Sequence, residues 1–144
     1  MGETMDQESI VYGCIKDAAP CLNDATRRRS NREVMLQLPK ADDWPFLCQE
    51  MFAIPRPEAS LGSYQTEVMH FGASYKAVEY EWEQWIAKFE DLLSKLYWVS
   101  ATVHLETELS GTHTFTWESE SDAHVPGSGA MRVRCEWSHD SPFS

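Results

Sequence analysis

The stretch from Val78 to Tyr97 constrains this chain most, because its apolar residues recur with the period of an α-helix. With Phe89 at the centre of one face, a turn of about 100° per residue brings Val78, Trp82, Trp85, Ile86, Leu92, Leu93 and Leu96 within about 60° of it. A stripe that wide and that rich in indole rings must be buried. The opposite side holds Tyr80, Glu83, Ala87, Asp91 and Ser94, with Glu90 on its flank and Glu79 near. An exposed tyrosine among carboxylates supplies rigid contact area amid charges that steer a basic partner.

Alternating segments around this helix supply a sheet. Ser9 to Lys16 reads as a strand with both faces largely apolar, which places it centrally. Asp24 caps a helix that Pro39 ends, with Val34, Met35 and Leu38 as its core residues. Asp42 to Ile54 fits either a short helix opened by Trp44-Pro45 or a strand from Cys48 to Ala53. Pro55 to Ser63 is a loop, Tyr64 to Phe71 a second strand, and Gly72-Ala73-Ser74 leads into the main helix. Trp98 to Glu108 and Thr112 to Glu118 then form a hairpin. A two-residue loop at Ser110-Gly111 would pair Leu105 with Thr116 and turn the aromatic residues away from the core. A three-residue loop, Leu109-Ser110-Gly111 with Gly111 left-handed, pairs Leu105 with Phe115 and Val103 with Trp117.

The expected fold is α+β in a single domain: a mainly antiparallel sheet of four to five strands with two helices packed on one side. Residues 1–8 are read as a flexible N-terminus, 9–118 as the core, 119–129 as a mobile connection, and 130–144 as an edge strand and tail. In that edge strand Met131, Val133, Cys135 and Trp137 alternate with Arg132, Arg134 and Glu136, whose charges face water.

Charge narrows the function. The 144 residues carry 23 acidic and 12 basic side chains, a formal charge of −11. Nucleic acid and anionic membranes would be repelled, and a basic protein attracted. No stretch approaches the ~18 apolar residues of a membrane span, and Met1 to Glu8 lacks the regions of a secretion signal, so a cytoplasmic location is expected. Cys14, Cys21, Cys48 and Cys135 form no Cys-x-x-Cys pair, and reduced thiols are expected.

No catalytic or metal motif emerges. His70, His104, His113, His124 and His139 show no ligand spacing, and the hairpin register puts His104 and His113 on opposite faces. Glu79, Glu81, Glu83, Glu90 and Asp91 read as a solvated or partner-binding helix face, since acid–base pairs need a dry cleft. Glu106 and Glu108 share a sheet face with Thr114 and Thr116. If no helix covers that face, it offers a flat polar patch around His104 for a partner or a second copy of the chain. Arg27, Arg28, Arg29 and Arg32 are read as partners for the acidic excess. No cofactor is called for.

The tract from Tyr64 to Glu118 carries Val68-Met69-His70-Phe71-Gly72-Ala73-Ser74-Tyr75-Lys76, Glu79-Tyr80-Glu81-Trp82 and Tyr97-Trp98-Val99-Ser100-Ala101. Together with Ser9-Ile10-Val11-Tyr12-Gly13-Cys14-Ile15, it resembles small bacterial immunity proteins. These are encoded beside toxins of type VI secretion and related contact-dependent systems. The resemblance implies a cytoplasmic, non-enzymatic antitoxin that binds a cognate antibacterial toxin, a nuclease by preference, and occludes its active site or substrate path. It transfers no catalytic residues. The expected partner-binding residues are Tyr80, Glu83, Asp91, Glu79, Glu90, Glu106 and Glu108. The alternative is a non-catalytic adaptor or structural protein, dimeric in one version, that holds a secretion or signalling partner. A third class, a small enzyme or ligand-binding domain, would need Trp82, Trp85 and Trp117 to line a cavity rather than fill it.

Overall fold

Period-two alternation in five segments builds one sheet, and the helical stripe covers it. The computed structural model describes residues 8–17, 26–54, 67–108, 110–120, 123–128 and 131–138. Its strands are β1 (Glu8–Asp17), β2 (Glu67–Lys76), β3 (Ser100–Thr107), β4 (Gly111–Ser119) and β5 (Met131–Ser138), and its helices α1 (Thr26–Leu36) and α2 (Trp82–Ser94). Every strand pairing is antiparallel, in the order β2-β1-β3-β4-β5. The α+β expectation holds, and β1 lies inside the sheet between β2 and β3.

One face of the sheet carries Val11, Ile15, Met69, Phe71, Ala101, Val103, Leu105 and Trp117, all buried. Phe89 of α2 packs between Phe71 and Trp117, with ring centroids 5.4 and 5.0 Å away. Trp85 stacks on Phe89 at 5.2 Å, and Met35 of α1 joins the same core. Burying a large apolar side chain contributes about 1.5–3 kcal/mol, so these rings dominate the fold. Trp85 and Trp117 are sealed in the core, and Trp82, partly buried, stacks on Trp85.

Polar anchors tie α1 to this core. The Asn31 amide donates to the Tyr97 carbonyl and accepts the Tyr97 N–H, at 2.9 and 2.8 Å. Arg27 donates from Nε to buried Asp17 at 3.0 Å, with a second contact through its Nη2. The expected role of this arginine as an internal charge partner is therefore met.

Several local expectations change. The hairpin pairs Thr107 with Gly111, Leu105 with His113 and Val103 with Phe115, with Glu108 and Ser110 in the turn between the strands. The register is displaced by two residues from the expected one, which preserves the faces. The Thr107 hydroxyl accepts the Ser110 N–H at 2.9 Å and starts the turn one residue early, while Gly111 keeps the left-handed φ of 81°. Strand β2 runs on through Gly72, Ala73 and Ser74 to Lys76, because β1 pairs with it along its whole length. The chain reverses at Ala77, whose φ is 52°, and Val78–Glu81 form a 3₁₀ turn before α2 begins at Trp82. Between 42 and 54 neither a helix nor a strand forms. A 3₁₀ turn at Gln49–Met51 and a single bridge from Phe52 to Phe71 take their place.

The boundaries shift accordingly. Glu8 belongs to β1, and residues 1–7 and 139–144, with Asp24, Cys21 and the loop 55–63, lie outside the described residues. The stretch 119–129 is anchored rather than loose where it is described. His124 is fully buried, stacks on Trp98 at 4.8 Å and bridges to it through the backbone. Among the described residues, no helix is long and apolar enough to cross a membrane.

Candidate functional site

The residues expected together on the outer helix face fall into separate places. Tyr80 projects from the 3₁₀ turn with 74% of its surface exposed. It lines a cleft of about 290 Å³ with Glu79, Glu81, Trp82, Glu83 and Gln84. Glu79 and Tyr80 of the 3₁₀ turn and Glu83 of the first turn of α2 border one opening. The Glu79 Oε1 is buried without a hydrogen-bond partner, as is the Trp82 Nε1. A buried acceptor and a buried donor left unsatisfied each cost stability.

Asp91 lies farther along α2, on the groove between the helices. This groove, about 500 Å³, is bordered by Val34, Leu38, Leu47, Ala87, Lys88 and Leu92, with Asp91 and Lys95 at the rim. Asp91 pairs with Lys95 at 3.2 Å. Lys88 donates to the Asp42 carboxylate and to the carbonyls of Asp43 and Pro45, at 2.8, 2.9 and 3.0 Å. Burial pulls the Asp42 carboxyl upward, but the bonds from Lys88 and the Leu47 N–H outweigh it and hold it below its ordinary value.

Glu90 points inward. Its carboxylate accepts the indole N–H of Trp117 at 2.8 Å, so it serves the core more than any outer face. Helical periodicity places it on the flank of the outer face and carries no trace of the Trp117 indole beneath.

Glu106 lies on the sheet face opposite the helices, and no helix covers that face among the described residues. Tyr12 stacks on His104 there at 4.8 Å, and His104 Nδ1 meets the Thr114 hydroxyl at 3.0 Å. Burial and the neighbouring Glu106 carboxylate, which accepts its hydroxyl proton in a hydrogen bond, push the Tyr12 phenol up. Ile10, Tyr12 and Val68 are exposed on this face. Glu108 sits at the hairpin turn and accepts the Glu8 N–H at 3.3 Å. His113 lies on the other face, as expected, stacked on Trp137 at 5.9 Å.

Ser110 Oγ lies 3.3 Å from His113 Nε2, yet no carboxylate orients that ring among the described residues, as a triad requires. Burial and then Glu136 push the Cys135 thiol up, away from nucleophilic thiolate character. Tyr75, raised strongly by burial, accepts the Trp85 indole N–H at 2.9 Å and donates to the Phe46 carbonyl at 2.8 Å. Its role is structural. Among the described residues no group of His, Cys, Asp and Glu is placed to hold a metal ion, and Cys14, Cys48 and Cys135 are free thiols.

Sequence reasoning expected an exposed Tyr80 with Glu79 and Glu83 near it, but missed the cleft they line and the inter-helix groove, since no local pattern reports which loop closes over a helix. No protein-family model matches this chain, and no characterised protein or solved structure is significantly similar to it.

Proposed function

We propose that this chain is an immunity protein that binds and neutralises a basic antibacterial toxin, a nuclease, by covering its active site or substrate path. The observation that carries the reading is Tyr80, exposed on a 3₁₀ turn and ringed by Glu79, Glu81 and Glu83. A phenol amid carboxylates combines a rigid anchor with the charge that a phosphate-binding enzyme attracts. The overall charge of −11 supports the same partner. Glu79 and Glu83 frame the anchor, while Asp91, Glu106 and Glu108 lie elsewhere and act through the long-range field. The cytoplasm is the compartment in which such a protein would meet its toxin.

Calorimetric titration against the product of the neighbouring toxin gene tests this. The expected result is tight binding that Tyr80→Ala with Glu83→Lys weakens. Unchanged affinity in that variant removes the cleft as the interface. A second reading, a non-catalytic adaptor, draws on the uncovered sheet face with exposed Ile10, Tyr12 and Val68. It predicts binding that survives the cleft variant and fails when Tyr12 is replaced.

A further inference from the structure

The two edges of the sheet differ. Outside β2 the chain passes back over its own edge, with Phe52 bridged to Phe71 and the Ala53 N–H bonded to the His70 carbonyl at 2.8 Å. Outside β5 nothing lies among the described residues. An open edge presents a row of backbone donors and acceptors that can pair with another strand. Here the strand also leaves apolar side chains in water: Val133 is 50% and Trp137 56% exposed. Trp137 is held ready, its indole N–H bonded to the Ser110 carbonyl and its ring stacked on His113.

We propose that β5 pairs with β5 of a second copy of this chain, antiparallel about a two-fold axis at Cys135, joining two sheets into one. The argument is charge and shape complementarity in that register. A two-fold axis perpendicular to the sheet keeps corresponding faces together, so only residues of the same face can stand opposite one another. Centred on Cys135, Arg134 stands opposite Glu136 of the second copy, Val133 opposite its Trp137, and the exposed thiols opposite each other. Moving the axis to Arg134 sets the two Arg134 side chains against each other, and moving it to Glu136 does the same for the glutamates. Like charges directly opposite destabilise a ladder and opposite charges support it. The strand therefore selects one register of itself. Arg134 already meets Glu118 at 3.1 Å in its own chain, and the five donors of a guanidinium leave capacity for a second carboxylate. The repulsion between two acidic chains is screened at moderate salt.

Sedimentation velocity over a concentration series tests the proposal on the full chain, at moderate salt, with circular dichroism to verify folding. The unsubstituted chain is expected to show a dimer fraction that rises with concentration. Arg134→Glu alone and Glu136→Arg alone each place like charges opposite and are expected to weaken self-association about tenfold or more. An equimolar mixture of the two variants sets every acidic position against a basic one, and it is expected to dimerise as the unsubstituted chain does. A chain that stays monomeric, because its own tail or another protein takes the edge, overturns the proposal. So do single variants that associate normally, as a dimer through the opposite sheet face would, and a mixture no better than its components. None of these readings needs a toxin, so they stand or fall independently of the proposed function.

Discussion

The indole N–H of Trp117 on β4 donates to the Glu90 carboxylate on α2 across 2.8 Å, and the Trp117 side chain is fully buried. The bond fastens the main helix to the far half of the sheet. Glu90→Ala leaves a buried donor without a partner and should cost about 1–3 kcal/mol in urea unfolding. Glu90→Gln keeps an acceptor at the same reach and should recover most of that loss. Equal destabilisation by both would mean that charge, not the hydrogen bond, is what matters.

Tyr80 and Glu83 are exposed and serve no core contact, so their replacement should leave stability within about 0.5 kcal/mol. The combined Tyr80→Ala, Glu83→Lys variant is expected to lose about 2–4 kcal/mol of toxin affinity. The association rate of the unsubstituted chain should fall steeply as salt rises, because exposed charges farther apart than the screening length no longer steer. Stopped-flow mixing across a salt series measures this, and a flat profile argues against steering.

Asp42 links the irregular segment after α1 to Lys88 on α2. Its carboxyl is held below the ordinary 3.8 by Lys88 and the Leu47 N–H, against the upward pull of burial. A carboxyl lowered in the folded state stabilises the protein above its unfolded value. That contribution is lost as pH falls below 3.8 and through the lowered folded value. Asp42→Asn should be less stable by about 1 kcal/mol at neutral pH, after allowing for solvent screening of a part-exposed pair. The gap between the two proteins should close in acid, as read from unfolding midpoints at a series of pH values.

Two glycines in neighbouring strands should respond oppositely to alanine. A Cβ on Gly13 would lie 1.9 Å from the Thr102 carbonyl oxygen, a backbone atom of β3, and 3.0 Å from the Phe71 ring. Gly13→Ala should cost on the order of 3 kcal/mol or prevent folding. A Cβ on Gly72 meets nothing nearer than 3.5 Å. Gly72→Ala should be neutral or stabilise by up to about 1 kcal/mol, through the reduced freedom of the unfolded chain. Thermal unfolding of the two variants decides it.

The sequence by itself determined the elements whose signal is local. Phe89 and its neighbours at helical spacing announce a buried stripe. Apolar residues on both faces of Ser9 to Lys16, Ile10 and Tyr12 with Val11 and Ile15, announce an inner strand, and Gly111 a left-handed turn. Period and backbone preference are properties of a few adjacent residues, so they are legible without a fold. Tertiary structure alone decided what meets what. It extended β2 past Gly72 because β1 offered partners, and it turned Glu90 inward because Trp117 lay beneath it. It buried His124 against Trp98, and it separated Asp91, Glu106 and Glu108 from the Tyr80 cleft. Those outcomes depend on contacts between residues far apart in the chain, whose energies exceed local preference and leave no periodic trace in the order of amino acids.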